Sequence, residues 1–402
     1  MFLHKLFSDR SLLFAYIAVM LVQYAFITIL GGTTAVKLTF LGLAPLLFII
    51  RVPYVNRAVI YGVLYLFFCY FIALFHGNMR FSTIGFSGMY IMGYILVYNL
   101  IHNQLITLTD FSQFLRAMII AYGVVLILQQ LCLLVGLRNF FIINLSNQHF
   151  LSLTKLPSLS LEPSHSARIL TAMILCYLRC LELTNNGEKP VFKDLFAPQH
   201  RWMTILFLWS MFTMGSGTAF IGLGILCFYF IRKRTIVYIL PIIALFFVVG
   251  QALEIKQLDR ALRVSSVVLT GDVKAIRAED GSAATRIIPV INTLTMDLTK
   301  KESWIGNGVS SYEKALTSWK RTTDKIAVVE QYGLVTFIVS LILIYSCMIR
   351  YIISIESLFF IILLGMSLLN VYYYWGIMMM FSIIRYFQVQ QERGLLYDGC
   401  EM

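Results

Sequence analysis

Residues 58–75 read Ala-Val-Ile-Tyr-Gly-Val-Leu-Tyr-Leu-Phe-Phe-Cys-Tyr-Phe-Ile-Ala-Leu-Phe, with Arg57 before them and His76 after. The run contains no charge and is close to the ~20 residues an α-helix needs to cross a ~30 Å hydrocarbon layer. It does not alternate, so it is not a strand of an outer-membrane barrel. Similar runs recur along the chain at 12–30, 34–50, 82–101, 115–137, 166–184, 202–214, 217–231, 235–253, 327–349, 352–372 and 374–388. Together they predict an all-α, polytopic integral membrane protein of about twelve spans, with the seventh, eighth and twelfth short.

Composition agrees. Of 402 residues, 59% are hydrophobic and 13% charged, and mean hydropathy is +0.79. No soluble domain of this length hides that much apolar surface. The net charge of +12 is largely Lys and Arg flanking the spans, which sets topology and implies no nucleic-acid partner. Lys5 and Arg10 precede an apolar run too long for a cleaved signal, so that run is expected to be a retained first span.

With the N-terminus inside, the inward loops carry Lys5, Arg10, Arg51, Arg57, Arg116, Arg179, Lys189, Lys193, Arg201, Arg232, Lys233, Arg234, Arg350, Arg385 and Arg393. Short outward loops and outer span ends carry Lys37, Arg80, Arg138, Lys155 and Arg168. Fifteen against five is an inside bias, and it also puts the C-terminus inside. Two large outward loops are expected, at 138–168 and 254–325, within a single membrane domain covering 1–402. The second holds mixed charges with Gly and Ser, a pattern for short amphipathic helices on the membrane face. It is too small to bury much of a core of its own.

Cys69, Cys132, Cys176, Cys180, Cys227, Cys347 and Cys400 lie in expected spans or in the tail, which argues against a disulfide framework. No two histidines have helical ligand spacing and no acidic cluster suggests a divalent cation, so no metal site is expected.

Few places are left for chemistry. The first is Ser160-Leu161-Glu162-Pro163-Ser164-His165-Ser166-Ala167-Arg168. Proline suits the first helical position. Glu162, His165 and Arg168 then fall on adjoining parts of one face, at a helix N-terminus whose free N–H groups favour an anion. Two readings stand: an anion site with a base beside it, or a helix start from which Arg168 reaches lipid headgroups. The second place is Met214-Gly215-Ser216-Gly217-Thr218, either an anion-binding turn or a plain connection. The third runs from Arg286 through an amphipathic stretch to Gly306-Asn307-Gly308: either a phosphate site, where the glycines allow close backbone approach to a ligand, or a solvated Arg with a flexible loop. Arg260, Arg263 and Glu330 are secondary candidates. Glu330 lies near an outer span end, and Glu356 near an inner one, where a structural role is expected.

In organisation the chain resembles the O-antigen and capsule polymerases (Wzy type) and the related O-antigen ligases. Leu161-Glu162-Pro163-Ser164-His165 looks like the Glu-Pro-Ser-His stretch of repeat-unit polymerases, Met214–Thr218 like the family's Ser-rich turn, and Arg286 to Gly308 like its Arg…Gly-x-Gly element. The ligases typically carry a His in the long outward loop, and 254–325 has none, which favours polymerase. The resemblance implies a glycosyltransferase of the bacterial inner membrane that needs no cofactor. It would join repeat units carried on undecaprenyl diphosphate at the periplasmic face, with a chain-length regulator protein as a further partner. On that reading Arg168 and Arg286 are expected to clamp the diphosphate, helped by backbone N–H groups near Ser216 or near Gly306 and Gly308. Glu162 or His165 would take the acceptor proton. A ligase, or a flippase for the same lipid-linked sugar, is the alternative.

Overall fold

The computed structural model describes residues 9–22, 39, 41–44, 55–76, 81–103, 106–136, 139–140, 143–144, 155–231, 266–267, 270, 272–279, 281–308, 325–365 and 371–395. The expected span at 235–253 lies outside them, as do Arg138, Arg260, Arg263 and most of 34–50. The described chain is helical: α1 (Asp9–Leu21), α2 (Arg57–Phe75), α3 (Phe81–His102), α4 (Leu108–Leu134), α5 (Pro163–Thr184), α6 (Arg201–Thr213), α7 (Gly217–Phe230), α8 (Val273–Glu279), α9 (Gly281–Leu294), α10 (Lys301–Ile305), α11 (Ala327–Cys347), α12 (Ile355–Phe359) and α13 (Tyr372–Glu392). The β pairing among the described residues is a two-residue antiparallel bridge, Asn139–Phe140 with Ile143–Asn144.

Among the described residues three helices, α2, α4 and α11, are long and apolar enough to cross a membrane. In α2 the buried positions Ala58, Gly62, Tyr65, Cys69 and Ile72 repeat at four- and three-residue steps and form one seam. The opposite face exposes Ile60, Val63, Phe67, Phe71 and Leu74. A helix that is apolar on both faces is not designed to meet water on either. Polar end caps fix the starts. Asn56 accepts from the Val59 amide at 3.0 Å. Thr107 and Asp110 form a reciprocal capping box that starts α4 at Leu108, earlier than hydrophobicity alone suggests.

The centre of the bundle is α5 with α13. α5 packs on α4, α7 and α13, and α13 also packs on α1 and α3. Both are buried along nearly their whole length. Small residues set the close approaches: a side chain at Gly222 of α7 would collide with Thr171 of α5, and one at Gly123 of α4 would come within 2.7 Å of Leu206 of α6. Without a hydrophobic drive between helices in lipid, such packing carries association.

Contacts sort the helix ends into two groups. At one end Arg10 pairs with Asp110, Tyr177 with His200, Arg179 with Glu356 and Arg350 with Glu392. At the other, His76 meets Ile305, Gln129 meets Ser158, Gln130 meets Thr213 and Arg168 meets Tyr373. Each group joins ends that the charge count assigns to the same side.

The span expected at 352–372 is less regular. α12 passes into a π turn over Phe360–Leu364.

Candidate functional site

The stretch ahead of α5 is built into the bundle. Ser158, Ser160 and Ser166 are fully buried. The Ser158 amide donates to Gln129 Oε1 at 2.9 Å, and Gln129 Nε2 donates to the Ser158 carbonyl at 3.0 Å. The Ser158 hydroxyl donates to the Tyr122 carbonyl, and Ser166 Oγ donates to the Pro157 carbonyl. Buried polar groups satisfied in this way hold a segment in one conformation. Pro163 then opens α5, with Glu162 as N-cap residue.

Glu162 makes no side-chain cap bond, so its carboxylate is not spent on the helix end. Its Oε2 accepts from Ser164 Oγ at 3.3 Å and lies 3.8 Å from His165 Nε2. The His165 side chain keeps 22% of its surface exposed, and its ring centroid is 4.7 Å from that of Tyr373. Arg168, one turn on, donates a terminal nitrogen to the Tyr373 hydroxyl. Its Nε is buried with no hydrogen-bond partner. A guanidinium donor left unmade in a buried place is costly unless something completes it. An acid, an imidazole and a guanidinium thus share one helix end, with one buried donor left without a partner.

Tyr373 is absent from the sequence-derived candidates. The one signal for it is the aromatic cluster Tyr372-Tyr373-Tyr374-Trp375 at the start of the last span.

Ser216 is the N-cap residue of α7 and makes no side-chain cap bond. Thr218, 1% exposed, has a buried Oγ1 with no partner. α7 lies against α5 where Gly222 meets Thr171, so Thr218 stands one turn nearer the same end.

The Gly-x-Gly element departs from expectation. Gly306 N–H donates to Glu302 O at 2.9 Å, Asn307 N–H to Glu330 O at 2.8 Å and Gly308 N–H to Gln331 O at 3.1 Å. All three amides are committed within the protein, so Gly306 and Gly308 do not offer an anion cradle here. Their glycines serve a backbone joint instead: Gly306 (φ 69°) lies against Gly333 (φ 78°), which breaks the helical geometry of α11. Glu330, a secondary candidate, accepts from Asn307 Nδ2 at 2.8 Å, and its Oε2 is buried without a partner.

Arg286 lies on α9, whose Ala284 and Ile288 form a small apolar cluster with Ile276 of α8. The Arg286 side chain lies outside the described residues. The end of α9 is tied to the start of α11 by the Ile326 amide donating to Thr293 Oγ1 at 2.9 Å. Close by, Thr299 holds the Asp297 carboxyl below its ordinary value by donating from its hydroxyl and its amide. Among the described residues, no hydrogen bond links this loop cluster to the end of α5.

Glu356 is structural, as its position suggests: Arg179 grips both its oxygens at 2.6 and 3.1 Å. Among the described residues no group of His, Cys, Asp and Glu is arranged to hold a metal.

No family model, curated protein or solved structure matches this chain.

Proposed function

We propose that this protein is a membrane glycosyltransferase that joins polyprenyl-diphosphate-linked repeat units into surface polysaccharide. About twelve spans would carry it, with the start of α5 at the periplasmic face of the inner membrane. One observation carries the reading: Arg168 keeps a buried, unpartnered Nε beside His165 and Glu162.

The reaction requires that an acceptor hydroxyl attack the anomeric carbon of the donor. A C–O bond forms there and the bond to the diphosphate oxygen breaks. The departing lipid diphosphate takes the electron pair, and the hydroxyl proton passes to Glu162 or to His165. Charge developing on the diphosphate is met by Arg168, since guanidinium–phosphate contacts are charge-assisted and strong where water is excluded. Arg286 serves a second phosphate oxygen in this scheme, on the strength of the family resemblance.

The test is surface glycan from a deletion strain complemented with Arg168→Ala. The expected product is a single repeat unit with normal protein levels. Wild-type chain length in that variant removes Arg168 from the mechanism. Loss of all attached glycan points to a ligase, and units trapped inside the cell point to a flippase.

A further inference from the structure

The candidate acid–base groups and the candidate phosphate ligand are close in sequence, yet a distant residue touches both. Tyr373, at the start of α13, accepts a hydrogen bond from Arg168 through its hydroxyl and lays its ring against His165. The Arg168 guanidinium carbon is 5.8 Å from the centre of the same ring. Neighbouring residues of α13 are fixed by packing: Tyr374 and Trp375 are each 2% exposed, and Trp375 stacks with Tyr90 of α3. A phenol on so rigid an element has little freedom to move.

A guanidinium carries its five N–H donors in one plane. Fixing a terminal nitrogen on the Tyr373 hydroxyl therefore sets the direction of the remaining donors, including the buried Nε that has no partner. The ring, meanwhile, limits the positions open to the His165 imidazole.

We infer that Tyr373 is the positioning residue of this site, holding Arg168 so that its Nε meets a diphosphate oxygen and holding His165 beside the acceptor. The inference rests on the proposed reading of the site and adds a residue to it. The two contacts are separable by substitution. Tyr373→Phe keeps the ring and removes the anchor for Arg168. Tyr373→Leu removes both.

The experiment uses full-length protein in detergent with two probes: inorganic diphosphate for binding, and lipid-linked units extracted from the deletion strain for turnover. Losing one charge-assisted contact is worth about tenfold. Tyr373→Phe is thus expected to raise the diphosphate Kd and the donor KM about tenfold, with kcat within about twofold and an unchanged thermal midpoint. Tyr373→Leu is expected to lower kcat as well, by about tenfold or more. A role in packing alone would lower the midpoint of both variants and leave Kd and KM untouched. If Tyr373→Phe binds and turns over like the wild type while Arg168→Ala loses both, the positioning role is overturned and the site reading stands. If Arg168→Ala also binds diphosphate and makes polymer normally, the site reading itself falls.

Discussion

Arg179 sits on the same helix as Arg168 and is held quite differently. It pairs with Glu356, which is 5% exposed, and also with Glu182 at 2.7 Å. Tyr229 donates to that same Glu182 oxygen at 2.8 Å. Removing one partner of a buried pair strands the other charge, which costs roughly 3–5 kcal/mol. Arg179→Ala is therefore expected to lower the thermal midpoint strongly and reduce protein in the membrane. Arg168→Ala, whose partner is a neutral phenol, is expected to leave stability nearly unchanged and abolish polymer. Thermal unfolding in detergent ranks the two, and the reverse order would undo the division between structural and functional arginines. Their legibility differs for the same reason. Glu162, His165 and Arg168 lie three residues apart at one helix start and can be read from spacing. Tyr373 and Glu356 meet their arginines across 205 and 177 residues, and no local pattern encodes such a meeting.

At the scale of elements, the joint between α10 and α11 is the most demanding piece of backbone. Gly306 and Gly333 both adopt positive φ; Gly306 faces the backbone of Gln331 and Gly333, and Gly333 faces that of Trp304 and Ile305. A Cβ on Gly306 would stand 2.6 Å from the Gln331 carbonyl, and one on Gly333 would collide with the Trp304 carbonyl. Strained φ and a backbone clash add, so Gly306→Ala and Gly333→Ala are each expected to cost about 2 kcal/mol or more. Gly224, mid-helix in α7 with nothing within 4 Å of its would-be Cβ, is the control. Gly224→Ala should gain up to about 1 kcal/mol. Thermal midpoints of the three variants check this, and a Gly333→Ala protein as stable as wild type would refute the joint. The sequence marks Gly306-Asn307-Gly308 as a place where the backbone could come close to a ligand, and the three amides are instead bonded within the protein. What approaches is α11, because Gly333 lies in an apolar run where a single glycine carries no positional signal. Helix starts are more legible: Thr107 and Asp110 mark the beginning of α4 by their spacing alone.

At the scale of the molecule, the arrangement of helix ends tests a membrane topology. Counting Lys and Arg assigns each span end to a side without reference to contacts, whereas the hydrogen bonds and ion pairs know nothing of that count. Arg10–Asp110 and Arg168–Tyr373 each join ends that this count expects on one side. That leaves the absolute direction to be measured, and the charge bias gives the expectation that the start of α5 lies outside. The direction can be read chemically. Cys132, Cys227 and Cys400 are first replaced by Ser, since the other cysteines are buried. Leu161→Cys and Lys300→Cys, at exposed positions of the Arg168 and Gly306 ends, are expected to react with a membrane-impermeant maleimide on intact spheroplasts. Glu188→Cys, exposed just beyond α5, should react only after permeabilisation. The opposite pattern would turn Arg168 toward the cytosol, where no periplasmic donor could reach it. Equal labelling of Leu161→Cys and Glu188→Cys from one side would mean that α5 does not cross the bilayer.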